Sequence, residues 1–152
     1  FIIFQQSAAM RIFMVLMILF MPLSTNAQVE NEIVGVWFNE EKDAKIEIYK
    51  QQTKFFRKIV WIKDPLGKDG KPAVDEHNPN PPDKKRPIIG LTILQDFVFD
   101  GISTWLGGTI YDPNDGKTYK CKIQCSNRNR LEVRGYVGIP LFGQTTVWTR
   151  AQ

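Results

Sequence analysis

Residues 105–125 read WLGGTIYDPNDGKTYKCKIQC, residues 131–138 read LEVRGYVG, and the chain's last apolar run ends Val147-Trp148-Thr149-Arg150. Asp112-Pro113-Asn114-Asp115-Gly116 is the strongest turn signal in the protein. Pro113 presets φ, and Asp115-Gly116 supplies a position that tolerates φ > 0. Beyond the turn, Tyr119, Cys121, Ile123 and Cys125 alternate with Lys120, Lys122 and Gln124. That is the period of a strand with one dry and one wet face. A second polar turn, Ser126–Asn129, leads into Leu131–Val137, and Gly138–Gly143 forms an apolar corner before the final strand. The pattern predicts an antiparallel meander.

The same alphabet extends towards the N-terminus. Ile33–Phe38 is strand-like, Asn39–Asp43 is a turn, and Ala44, Ile46 and Ile48 alternate with Lys45, Glu47 and Lys50. Gln51–Thr53 is a tight connection into Phe55–Lys63. The segment 64–86 breaks the pattern with Pro65, Gly67, Gly70, Pro72, Pro79, Pro81 and Pro82 among charges. A loop this long reads as a lid, a binding loop or a disordered stretch, and in the ligand-binding reading it covers the barrel mouth. Pro87–Leu94 is apolar again, and Phe97–Phe99 followed by Asp100-Gly101 reads as a short strand and a turn. The count is eight or nine short strands and no helix. The spacing predicts an all-β, antiparallel, up-and-down barrel, whose closure removes exposed sheet edges.

Ahead of this domain, Met10 is the expected start. Arg11, the apolar run Ile12–Leu23 and the small-residue site Thr25-Asn26-Ala27 have the form of a signal peptide. The run is short for a bilayer span of about 20 residues. The expected domain is therefore Gln28–Gln152, periplasmic or secreted, with no stable membrane anchor after cleavage. Loss of a segment carrying Arg11 and no acid lowers the net charge from +4 to +3. The charges are interspersed, and Lys84-Lys85-Arg86 is too short for a nucleic-acid stripe. Cys121 and Cys125 lie four apart on one strand, roughly 13 Å in extended chain. A disulfide needs Cα atoms within about 7 Å, so two free thiols are expected.

Two resemblances sharpen this reading. Gly35-x-Trp37 on the first strand, with Arg150 ending the last, resembles the calycin signature of lipocalins. That likeness implies a guanidinium covering an indole at one closed barrel end, with Gly35, Trp37 and Arg150 as structural residues. The second resemblance covers nearly the whole domain. It is carried by Lys58-Ile59-Val60-Trp61, Asp75-x-x-Asn78-Pro79, Arg86-Pro87-x-x-Gly90-Leu91, residues 105–119, residues 131–138 and Trp148-Thr149-Arg150. These motifs, in this order, resemble the exported bacterial family called domain of unknown function 2147. The resemblance implies a lipocalin-like barrel and an envelope address, and it carries over no catalytic residue. Arg57-Lys58 stands where the family pattern suggests a glycine-containing pair, which predicts a differently built hairpin there.

The residues that can bear chemistry are few. His77 is the single histidine, and Ser103 and Ser126 are the only serines of the domain. Neither serine sits in a nucleophile elbow. The carboxylates of the 64–86 loop do not have the spacing of a calcium loop. Asp112 and Asp115 read as turn caps. No catalytic residue, metal or cofactor is expected, and the chain is not expected to be an enzyme. The candidate ligand set is Trp61, Asn78, Arg86, Trp105, Tyr111, Tyr119, Arg134 and Tyr136. Of these, Trp105 and Tyr111 are predicted to share one strand face with Gly107 and Thr109. The expected partner is a small apolar or amphipathic molecule. The alternative is an interaction barrel with a filled core and no ligand.

Overall fold

Hydrophobic alternation folds the chain into eight strands, seen in a computed structural model that describes residues 25–152. They are β1 (Gly35–Phe38), β2 (Ala44–Gln51), β3 (Lys54–Ile62), β4 (Thr92–Phe99), β5 (Thr104–Asp112), β6 (Lys117–Asn127), β7 (Arg130–Tyr136) and β8 (Gly143–Arg150). Each pairs antiparallel with its neighbours in sequence, and β8 returns to β1, so the sheet closes. Met10, Arg11 and the apolar run Ile12–Leu23 lie outside the described residues.

The strand count settles at eight. The ninth candidate fails because Ile88–Leu91 forms a turn, with Leu91 N–H donating to the Ile88 carbonyl, and β4 begins only at Thr92. No helix was expected, yet Thr25–Glu30 forms a six-residue one, and Pro81–Lys85 and Pro140–Phe142 form 3₁₀ turns. Arg57-Lys58 lies in the middle of β3, not at a hairpin; the β2–β3 turn is at Gln52-Thr53, since Gln51 pairs with Lys54.

Inward-facing side chains fill the lower barrel. Trp37, Phe55, Phe97, Trp105 and Leu131 are almost wholly buried. Phe55 meets the Trp105 ring edge-on at 6.2 Å, and Phe99 lies tilted against it at 4.8 Å. An indole that buries about 200 Å² contributes on the order of 5 kcal/mol as an upper bound, so these aromatics dominate the core. The predicted shared face of Trp105, Gly107, Thr109 and Tyr111 is broken by a bulge. The β5–β6 register shifts between Trp105 and Gly108, where Gly107 has φ +79°. The bulge leaves Trp105 and Gly108 buried and turns Thr109 outward.

Turns divide between two ends. The helix, Gln52-Thr53, residues 100–103 and residues 128–129 gather at one; residues 39–43, 63–91, 113–116 and 137–142 gather at the other. The first end is shut by Arg150. Its guanidinium lies 4.1 Å from the Trp37 ring centroid. Its Nε donates to the Arg128 carbonyl at 2.6 Å, and its terminal nitrogens donate to Val34 and Glu32 carbonyls at 3.1 and 2.5 Å. Trp37 Nε1 donates to the Ile33 carbonyl at 2.8 Å. Gly35 has φ +133°, and a Cβ there would sit 2.7 Å from an Arg150 nitrogen.

The loop 64–86 is not separable from this body. Asp75 is fully buried and Asn78 nearly so. Val74 and Pro87 form a bridge, and Ala73 and Asp75 exchange backbone hydrogen bonds with Ile88 and Arg86. Of the readings open for this loop, a wholly solvated stretch does not hold, because composition does not reveal that Asp75 and Asn78 inside it are buried.

Arg150→Ala strips three carbonyls of a charged donor and uncovers Trp37, so it should lower unfolding free energy by about 2–4 kcal/mol. Urea denaturation at neutral pH reads this as a fall in midpoint with an unchanged slope. An unchanged midpoint would mean that the guanidinium does not seal the barrel.

Candidate functional site

The open end carries the chemistry, and Asp75 organises it. The Tyr111 hydroxyl on β5 donates to Asp75 Oδ1 at 2.7 Å, and Asn78 Nδ2 donates to Oδ2 at 2.7 Å. The Arg86 guanidinium approaches Oδ2 at 3.6 Å. A buried carboxylate without such partners would cost several kcal/mol. The loop is therefore held to the barrel by a satisfied polar cluster. Burial, and then the hydrogen bond to Asp75, push Tyr111 up to about 12.

The β5–β6 turn clamps the same loop from the other side. Asp112 Oδ1 accepts from Asn114 N–H, and Asp115 Oδ1 accepts from Lys117 N–H, as turn chemistry predicts. Gly116 has φ +70°, and a Cβ there would meet the His77 carbonyl oxygen at 2.0 Å. No larger residue fits between the turn and the loop.

A cavity of about 1050 Å³ opens here. Ile110, Val133 and Trp148 form its apolar depth; Tyr111, Tyr119 and Tyr136 line its wall. Glu41, Asp43, Asp112 and Asp115 make its rim acidic. Tyr119 donates to Asp115, which raises the phenol and lowers the carboxyl. A second cavity of about 400 Å³ lies between Ile46 and Ile59 of the barrel and Ala73, Val74 and His77 of the loop.

The eight candidate ligand residues separate into groups. Tyr111, Tyr119 and Tyr136 come together at the mouth. Asn78 and Arg86 join them through Asp75. Trp105 is buried in the lower core, and its Nε1 has no acceptor among the described residues. Trp61 lies on the outer face, edge-on to Phe38, with Lys45 Nζ 5.5 Å from its ring centroid. Arg134 also points outward, donating to the Pro140 carbonyl and Thr145 Oγ1 at 2.7 and 2.8 Å, and so fixes the β7–β8 corner. His77 lies by Glu76 at the open end, whereas Ser103 and Ser126 belong to the closed end. Cys121 and Cys125 are both free.

Sequence reasoning passed over two residues. Asp75 was visible as the first residue of Asp75-x-x-Asn78-Pro79 and as one loop carboxylate among several, but not as a buried acceptor. Arg57 was hidden because β3 carries charge on both faces: Phe55, Arg57 and Ile59 share one phase, and Phe56, Lys58 and Val60 the other. The structure turns Arg57 inward, where it is 1% exposed.

A closed eight-stranded barrel, sealed by an arginine over a tryptophan at one end and hollow at the other, defines the lipocalin-like class. Comparison with known proteins agrees. Residues 35–150 match the family described as an uncharacterized protein conserved in bacteria (DUF2147), and the chain belongs to that family. Among solved structures it is similar to protein HP1028 of Helicobacter pylori, described as a lipocalin-family member. The TM-score is 0.69 at 25% identity, over 79% of this chain and 83% of that one. A redesigned β-barrel aligns at TM-score 0.43 and 10% identity, over 82% of this chain and 95% of that one, too loosely to bear on function. No curated protein matches the chain in sequence.

Asp75→Ala would leave the Tyr111 and Asn78 donors without their acceptor and Arg86 with Asp83 alone. It should cost about 2–4 kcal/mol and expose residues 64–86 to limited proteolysis; a loop that stays protease-resistant would show that the cluster does not hold it. Alkaline unfolding offers a second check. Unfolded tyrosine ionises near pH 10 and folded Tyr111 near 12, so its contribution is intact below pH 10 and lost as pH climbs through 12. Tyr111→Phe should flatten that part of the stability–pH curve, and an identical alkaline slope would refute the assignment.

Proposed function

We propose that the protein is an exported, non-enzymatic, lipocalin-like module that takes one small apolar or amphipathic molecule into its open end. The cavity of about 1050 Å³ carries this reading. Its apolar depth and aromatic wall have the composition of a small-molecule pocket, with a few polar groups to fix orientation. The clasp on Asp75 keeps the loop at the mouth ordered, so less entropy is lost when a guest arrives. The likeness to a lipocalin-family structure supports the fold on which the reading depends. Export rests on the signal-peptide form of Met10–Ala27. The non-enzymatic part is supported by the separation of His77 from both serines of the domain.

A second reading has one observation in its favour. Val137, Ile139, Leu141 and Phe142 stand exposed together at the β7–β8 corner. Such a patch can serve a protein partner, with the barrel acting through its surface.

Native mass spectrometry of protein purified from its own envelope separates the two. Extra mass that leaves on denaturation is the expected result. A bare polypeptide mass across repeated preparations would sink the ligand reading and favour the surface one.

A further inference from the structure

We propose that Arg57 is an interior anion anchor, and that the molecule taken by the barrel is an amphipathic monocarboxylate whose acid group pairs with this guanidinium. The inference rests on the ligand-binding reading above and names the chemistry of the guest.

Arg57 is a buried cation of the barrel interior, and Nε, Nη1 and Nη2 have no nitrogen or oxygen acceptor among the described residues; the neighbouring Cys121 thiol is the one side-chain group that offers a weak acceptor there. Buried polar groups in folded proteins are nearly always paired, and an unpaired buried charge is among the costliest arrangements a chain can hold. No carboxylate among the described residues relieves it. The register sets Ile48 and Leu94 beside it, and Cys121 is the one titratable group acting on it among the described residues. Burial pushes Cys121 up to about 11, so it is a neutral thiol at physiological pH and gives no counter-charge. Burial also lowers Arg57 to about 9, which still leaves it a cation there.

Position links this charge to the mouth. The Arg57 Cζ lies 4.0 Å from the centroid of Trp148, and Trp148 is part of the cavity's apolar depth. The indole therefore contacts the guanidinium and also borders the cavity. Arg57 itself lines neither cavity, so a guest's head reaches it by displacing the Trp148 ring, and then meets a planar fork of donors, the geometry that suits a carboxylate. The guest's apolar body then lies among Ile110, Val133 and Leu141. Charge favours a single negative charge over a dianion. One buried guanidinium neutralises one charge, and the acidic rim of Glu41, Asp43, Asp112 and Asp115 disfavours every anion at the mouth but a dianion more strongly than a monoanion.

The test is displacement of phenylnaphthylamine, a neutral fluorescent probe, by dodecanoate, dodecanol and dodecyl phosphate at neutral pH, with the wild-type protein and Arg57→Met. In the wild type, dodecanoate should displace the probe at concentrations at least about tenfold below dodecanol, the value of one charge-assisted pair. In Arg57→Met that preference should vanish while dodecanol and the probe still bind. Equal displacement by dodecanoate and dodecanol, or a preference that survives the substitution, overturns the anchor and leaves the ligand reading standing. Tighter binding of dodecyl phosphate than of dodecanoate overturns the carboxylate assignment. Failure of the probe and all three amphipaths overturns the ligand reading, and the anchor with it. A thermal melt without ligand keeps folding separate from binding. Arg57→Met should melt no lower than wild type, because it removes an unpaired buried charge. A clear fall would assign Arg57 a structural role and overturn the proposal.

Discussion

Everything in this protein depends on β1 meeting β8. An open meander of eight strands would present two rows of unpaired amide and carbonyl groups, a template for pairing with other chains. Only Trp37–Arg150 and Phe38–Thr149 stand opposite one another across the seam, so the backbone pairing there is short. Arg150 makes up the deficit with side-chain chemistry. It bonds carbonyls from Glu32, Val34 and Arg128, three separate points of the closing end, and lies over the Trp37 ring. The positive φ of Gly35 belongs to the same arrangement, because it clears the space that a guanidinium nitrogen fills.

With one end sealed by cation and indole, the barrel can leave the other end less dense. There the chain uses a different device, a buried carboxylate that collects donors from its own loop and from β5. The two ends have opposite characters. At the closed end a cation satisfies backbone carbonyls; at the open end an anion gathers side-chain donors. Between them Arg57 follows neither pattern, having an aromatic face and a neutral thiol beside it but no oxygen or nitrogen acceptor among the described residues. Sequences that specify one fold usually satisfy their buried groups, and departures gather where function sits.

The fold was legible because β-structure writes itself in a period of two. Tyr119, Cys121, Ile123 and Cys125 announce β6, and Asp112–Gly116 announces its turn. The sealing trio of Gly35, Trp37 and Arg150 was readable through a family likeness, since no local pattern links residues so far apart. The site was less legible, for three physical reasons. A bulge at Gly107 shifts the phase of β5, so alternation misassigns the residues after it. A carboxylate in a polar loop looks the same in sequence whether it is solvated or buried, which hid Asp75. Alternation also cannot choose between two phases that each carry a cation, which hid Arg57. Trp61 and Arg134 seemed suited to a pocket by residue type, yet both face outward.

The sealing contacts also have a consequence in time. Arg150 bonds carbonyls 116 and 118 residues away in sequence. Those contacts cannot form until the end of the chain exists, so the first strand waits for the last. Contacts of such long range are slow to form because a large loop must close before any of them is made. Until then the polypeptide is an unclosed ribbon, pliable enough to be threaded through a narrow passage and exposed to proteases and to neighbouring chains. A nascent chain that lost only its final few residues would lack the latch while keeping most of its core. Such a product would fail at closure rather than at collapse.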